Sequence, residues 1–98
     1  MKVNINAVHF KTDNKLEQFI EKKVGKLSGL YEGVIGSDIT LKLDKAETKE
    51  NKIAEIRIQI PGYDLYAKKQ SSTFEEATDT ALSALKKQLE KHKRKFKK

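Results

Sequence analysis

Ile56, Ile58 and Ile60 alternate with Glu55, Arg57 and Gln59, and beyond Pro61–Gly62 the same two-residue period resumes at Tyr63, Leu65 and Ala67. A period of two places one set of side chains on a buried face and the other in water. Proline presets φ for the first central position of a turn and glycine accepts the second, so the pair closes two strands into a hairpin. The chain must therefore fold around a sheet that is antiparallel here and solvated on one face.

Two more stretches share the period. Val3, Ile5 and Ala7 alternate with Lys2, Asn4 and Asn6, and Ile39, Leu41 and Leu43 alternate with Asp38, Thr40 and Lys42. The polar run "DKAETKENK" then reads as an exposed loop. Between these strands the period changes to that of a helix. Asp13 stands as an N-cap, and Leu16, Phe19, Ile20, Leu27 and Tyr31 recur at helical spacing, with Val24 at the edge of the stripe. This helix should end near Gly29 or Gly33. Gly25 inside it costs about 1 kcal/mol relative to Ala, which implies either a close packing contact or a weaker helix.

The last segment opens with Thr73 and Glu76 at capping-box spacing. Phe74, Ala77, Thr78, Ala81, Leu82, Leu85, Leu89, His92 and Phe96 then share one face at ~3.6 residues per turn, which predicts a helix over about 73–95. The order is β-α-β-β-β-α, an α+β fold with a mostly antiparallel four-stranded sheet and two helices on one face. At 98 residues, the chain has the length of one domain.

Charge is distributed unevenly along this framework. Residues 1–81 carry 13 basic and 13 acidic side chains, whereas residues 82–98 carry eight basic side chains against Glu90 alone, so the whole net charge of +7 sits in the closing segment. A neutral body with one cationic end points to a polyanionic partner. Lys87, Lys91, Arg94 and Lys98 form one stripe opposite the apolar face, with Lys86, Lys93 and Lys97 beside it. On the first helix Lys15, Lys22 and Lys26 form a similar stripe, away from Glu17 and Glu21. Lysines opposite an apolar face are usually a solvated exterior, and that reading competes evenly for the first helix. On the second helix eight cations within thirteen residues repel one another, so binding is the stronger reading. Rigidly spaced cations suit the phosphates of folded RNA.

Other chemistry finds little support. The chain has no Cys, which removes disulfides, thiolate metal sites and cysteine nucleophiles and suits a reducing compartment. His92 falls on the apolar stripe as a packing residue, His9 has no catalytic neighbour in sequence, and the Asp44, Glu47 and Glu50 group lacks the spacing and glycine of a calcium loop. There is no nucleotide-binding glycine motif. No apolar run approaches the ~20 residues that cross a bilayer. Of seven aromatic residues, only Tyr66 falls on the open sheet face, too few for a platform that stacks bases. A non-enzymatic, cytoplasmic binding protein without a cofactor or small-molecule substrate is expected, monomeric when free, which contacts phosphates and is selective for shape.

The opening "VNINAVHF", the run "FEEATD" followed by "KKQLEKHK", and more weakly "FIEKKVGKL" resemble the ribosome hibernation-promoting factors, also called ribosome-associated inhibitor A or sigma-54 modulation proteins. The resemblance covers nearly the whole chain. It implies binding to the small ribosomal subunit and the whole ribosome, in the channel for mRNA and tRNA anticodon ends, and repression of translation in idle ribosomes. It also implies rRNA contact by Lys87, Lys91 and Lys93 in the matched run. The patch argument adds Lys86 and Arg94 on the same helix and Lys22, Lys23 and Lys26 on the first. Two departures stand out: Ala84 replaces a Lys common in the family, and Ser83 the Asp before it. At 98 residues the resemblance implies a short form, expected to act without the second domain through which long members pair ribosomes. The rival readings are a general binder of double-stranded or structured RNA, a membrane-surface protein and a transcription modulator that binds a sigma factor.

Overall fold

A computed structural model describes residues 2–8, 10–30, 33–44 and 50–96; within its helices and strands, the side chains of residues 28, 30, 63 and 92–96 lie outside that description. Six elements follow in the expected order: β1 Lys2–Ala7, α1 Asn14–Leu30, β2 Gly36–Leu43, β3 Lys52–Ile60, β4 Tyr63–Ser71 and α2 Phe74–Phe96.

The strands lie in sequence order, β1-β2-β3-β4. The β2–β3 and β3–β4 pairings are antiparallel, while β1 pairs with β2 in parallel. A parallel pair requires a crossover, and α1 is that crossover. The register aligns Ile5 with Ile39, Ile39 with Ile56, and Ile56 with Ala67, so one apolar row runs across all four strands. Slipping any pair by one residue would turn that strand's apolar set into water. At the hairpin, Ile60 pairs with Tyr63 around Pro61–Gly62, and Gly62 has φ +96. Proline cannot take the positive φ of the primed turns, so the turn falls to type II, which demands glycine at its second central position.

Helix starts are set by side chains. Asp13 Oδ1 accepts the amide of Leu16 at 2.8 Å, and Thr73 Oγ1 accepts the amide of Glu76 at 3.0 Å. The capping box expected of Thr73 and Glu76 is altered in its second half: the Glu76 carboxylate accepts the Ser72 hydroxyl at 3.4 Å. Both helices begin at the same end of the sheet, because each leaves the C-terminal end of one of two parallel-running strands, β1 and β4. There Phe10 and Phe74 stack, their ring centroids 4.9 Å apart. α2 lies over β3 and β4, and α1 packs beside α2 and against β1.

The core forms between sheet and helices. Ile20, Val24 and Leu27 from α1 and Ala77, Ala81, Leu82, Leu85 and Leu89 from α2 meet Ile39, Leu41, Ala54, Ile56, Ile58, Ile60, Leu65 and Ala67. Two expectations need correction. Val24 is fully buried at the centre of its stripe, with Leu16 and Phe19 only partly buried on its flanks. Leu43 is 44% exposed, because the alternation assigns it to the inner face at a row the helices leave uncovered. Leu89 continues the buried stripe of α2 as expected. Tyr31, His9 and Glu47 lie outside the described residues, as do the side chains of Tyr63, His92 and Phe96.

Gly25 is exposed, and a Cβ placed on it would meet no atom within 4 Å, which removes the packing explanation for it. Gly25→Ala should therefore stabilise the protein by about 0.5–1 kcal/mol through helix propensity, read as a higher urea midpoint with unchanged m. Leu85→Ala, at a fully buried position, should cost about 2–5 kcal/mol in the same assay.

Candidate nucleic-acid interface

α2 divides its circumference cleanly. Its inner stripe enters the core, which turns Lys86, Lys87 and Lys91 outward, and all three are exposed. Lys93 and Arg94 continue the helix backbone, but their side chains are outside the described set. On α1, Lys15, Lys22 and Lys26 are exposed on one outer flank. Lys23 differs from them: it is half-buried, its Nζ 3.5 Å from Asp79 Oδ1 of α2 and 5.5 Å from the centre of the Phe19 ring. This ion pair shows that the lysine-bearing flank of α1 is the one beside α2. Asp79 and Lys86 are seven residues apart, about two turns, so they share the flank of α2 that looks back at α1. Lys22 and Lys26 on one helix and Lys86 on the other thus border the same interhelical groove, while Lys87 and Lys91 lie further round α2.

Electrostatics along α2 favours this arrangement. Glu75 and Glu76 occupy its first turn and the cations its last third, the signs that suit the partial charges at the two ends of a helix. That benefit decays within a turn of the terminus, so it reaches Lys93 and Arg94 and leaves Lys86 and Lys87 without a stabilising role of this kind. A group of exposed cations with no structural task attracts a polyanion. Among the described residues no helix is long and apolar enough to cross a membrane.

The open face of the sheet has a different character. Glu55 receives the Tyr66 hydroxyl on Oε1 at 2.6 Å and the Lys42 ammonium on Oε2 at 2.6 Å. Lys42 and then Tyr66 hold the Glu55 carboxyl below its ordinary value, and the same bond pushes the Tyr66 phenol up. Asp38 accepts amides of Asn4 at 2.9 Å and Gln59 at 3.2 Å, and Arg57 Nε lies 3.8 Å from Asp64. Tyr66 is exposed on this face, as its place in the alternation predicts. The rest of the network was missed, because Lys42, Glu55 and Tyr66 meet only once the register of three strands is known. With Lys42 and Arg57 each beside an acid, this face offers a polyanion a weaker field than the cation-rich end of α2.

The family model described as "Sigma 54 modulation protein / S30EA ribosomal protein" matches residues 3–97. A ribosome hibernation promoting factor of Pseudomonas putida is 26% identical over 95 residues, which span 97% of this chain and 89% of that protein. A ribosome hibernation promotion factor of Bacillus subtilis is 27% identical over 95 residues, but the match spans only 50% of its length. Among solved structures, a ribosomal subunit interface protein from Coxiella burnetii superposes with a TM-score of 0.84 at 20% identity, covering 96% of this chain and 99% of that one. The N-terminal domain of Thermus thermophilus Protein Y gives 0.79 at 19% identity, covering 94% and 99%. At these identities the two structures establish the shared fold.

The sheet-face network has a pH signature. A carboxyl lowered in the folded state stabilises fully above its unfolded value of about 4.5 and loses that contribution as pH falls through the folded value. Glu55→Gln should therefore be less stable than wild type at pH 7, and urea unfolding at successively lower pH should show the gap closing below about pH 4.5.

Proposed function

The chain belongs to the sigma 54 modulation protein / S30EA ribosomal protein family, and from that membership we propose that it is a ribosome hibernation factor. It binds the rRNA of the small subunit through the helical face, in free subunits or whole ribosomes, and its bulk blocks the channel that mRNA and tRNA must occupy. The observation that carries this reading is the exposure of Lys86, Lys87 and Lys91 on the helix whose opposite stripe builds the core. Cations held on a core helix project from a fixed backbone, so meeting phosphates of matching geometry costs side-chain freedom but no ordering of the chain.

No covalent chemistry is needed. Repression follows from occupancy: a protein 48 Å in its longest dimension and 24 Å across excludes nucleic acid from the space it fills. Lys22, Lys26, Lys86, Lys87 and Lys91 supply the contacts on the described surface, and Lys93 and Arg94 extend them toward the end of α2. The open sheet face turns away from rRNA. The free protein is a monomer in the cytoplasm and acts without a cofactor.

Sedimentation with ribosomes and separated subunits, with a naked RNA duplex as competitor, tests this. With ~5 phosphate contacts, a fourfold rise in salt should weaken binding by about two to three orders of magnitude. Reversal of Lys87, Lys91 and Arg94 to Glu should abolish co-migration while leaving the thermal transition in place. Equal capture by the duplex would make the protein a general RNA binder, and unchanged ribosome affinity in the triple variant would overturn the assignment of the surface.

A further inference from the structure

The structure assigns Asp79 the role of a positioning residue for ribosome selectivity: it holds Lys23 across the helix junction, so that the pair latches the spacing the core gives the two lysine-bearing flanks and Lys23 does not itself contact phosphate. This inference rests on the ribosome-binding reading above.

Three observations carry it. The Lys23 ammonium has two partners within the protein, the Asp79 carboxylate at 3.5 Å and the Phe19 ring at 5.5 Å. It is half-buried, whereas its neighbours Lys22 and Lys26 are exposed. Asp79 also stands on the flank of α2 that carries Lys86, on the face a polyanion would approach. A carboxylate there repels every phosphate and weakens binding to all RNA by Coulomb's law. An acid in that place lowers general affinity, and its return is geometric: with Lys23 tied down, Lys22 and Lys26 keep a fixed distance from Lys86. A phosphate pattern that matches that distance is accepted, and a naked duplex with a different one is not.

The two explanations of Asp79 predict opposite signs, which makes the test direct. Asp79→Asn and Lys23→Gln are compared with wild type for binding to small subunits and to a naked RNA duplex across a salt series. For the positioning role, Asp79→Asn binds the duplex more tightly and the subunit more weakly, so that selectivity falls by about two- to fivefold, the range an exposed ion pair supports. Lys23→Gln leaves the salt slope for the subunit unchanged, and the exchanged pair Lys23→Asp with Asp79→Lys restores selectivity. If Asp79 is merely a surface charge, Asp79→Asn tightens both complexes alike, and the proposal is wrong. A fall of about one in the slope for Lys23→Gln would make Lys23 a phosphate contact and overturn it as well. Failure of the wild-type protein to bind ribosomes would remove the ribosome reading and the selectivity role together, whereas wild-type binding with either of the two preceding results removes the latch alone.

Discussion

Burial of one stripe of α2 against β3 and β4 is the constraint on which the rest of the molecule depends. Ala77, Ala81, Leu82, Leu85 and Leu89 put five apolar side chains of one helix into the core. Without them, the apolar row of Ile56, Ile58, Leu65 and Ala67 would face water on the middle and edge of the sheet. The same burial fixes the rotation of the helix about its axis. Once rotation is fixed, every residue out of phase with that stripe is committed to solvent, and the lysines acquire their direction and spacing from the core rather than from one another.

This coupling explains how a chain with so concentrated a charge remains folded. The cations of residues 86–98 repel, and repulsion at four-residue spacing weakens an isolated helix. Here the helix is held by its opposite face, by acids at its N-terminal end and by the favourable sign of its dipole near the C-terminus. The open sheet face contributes in another way. Two of its cations are matched in place, Lys42 with Glu55 and Arg57 with Asp64, whereas the closing stretch of α2 sets eight basic residues against Glu90 alone from residue 82 onward, so the stronger positive field lies on the helical side. A polyanion therefore meets one attractive side, and orientation is selected during approach as well as at contact.

Much of this was legible in the residues because hydrophobic period reports directly on which face a side chain shares. The strand and helix order, the Pro61–Gly62 turn, the Asp13 cap and the outward position of Tyr66 all follow from period or from local backbone chemistry. The readings that needed correction share a cause. Leu43 has the right phase but stands where no helix covers it, and Val24 stands at the edge of its stripe by period alone but lies at zero exposure once α1 is seated on the sheet. Glu76 answers to Ser72 as well as to the Thr73 side of its cap, a choice set by the path of the chain leaving β4. Phase is a property of one element, whereas coverage is a property of two.

The amino-acid sequence by itself determined the elements, their apolar faces and the location of the excess charge, because each depends on neighbours within a few positions or on simple counting. The resemblance to the family whose model matches residues 3–97 was also readable there, in "FEEATD" and "KKQLEKHK". Only the tertiary structure decided which lysines stand together. Lys23 and Asp79 are 56 positions apart; helical phase sets Lys23 over Phe19 and off the stripe of Lys22 and Lys26, but only the packing of α1 beside α2 brings it to a carboxylate and leaves the other two in solvent. The physical reason is the range of the forces involved. Helix and strand formation are resolved within a turn or a pleat, but an ion pair between elements exists only after the core has set the distance between them.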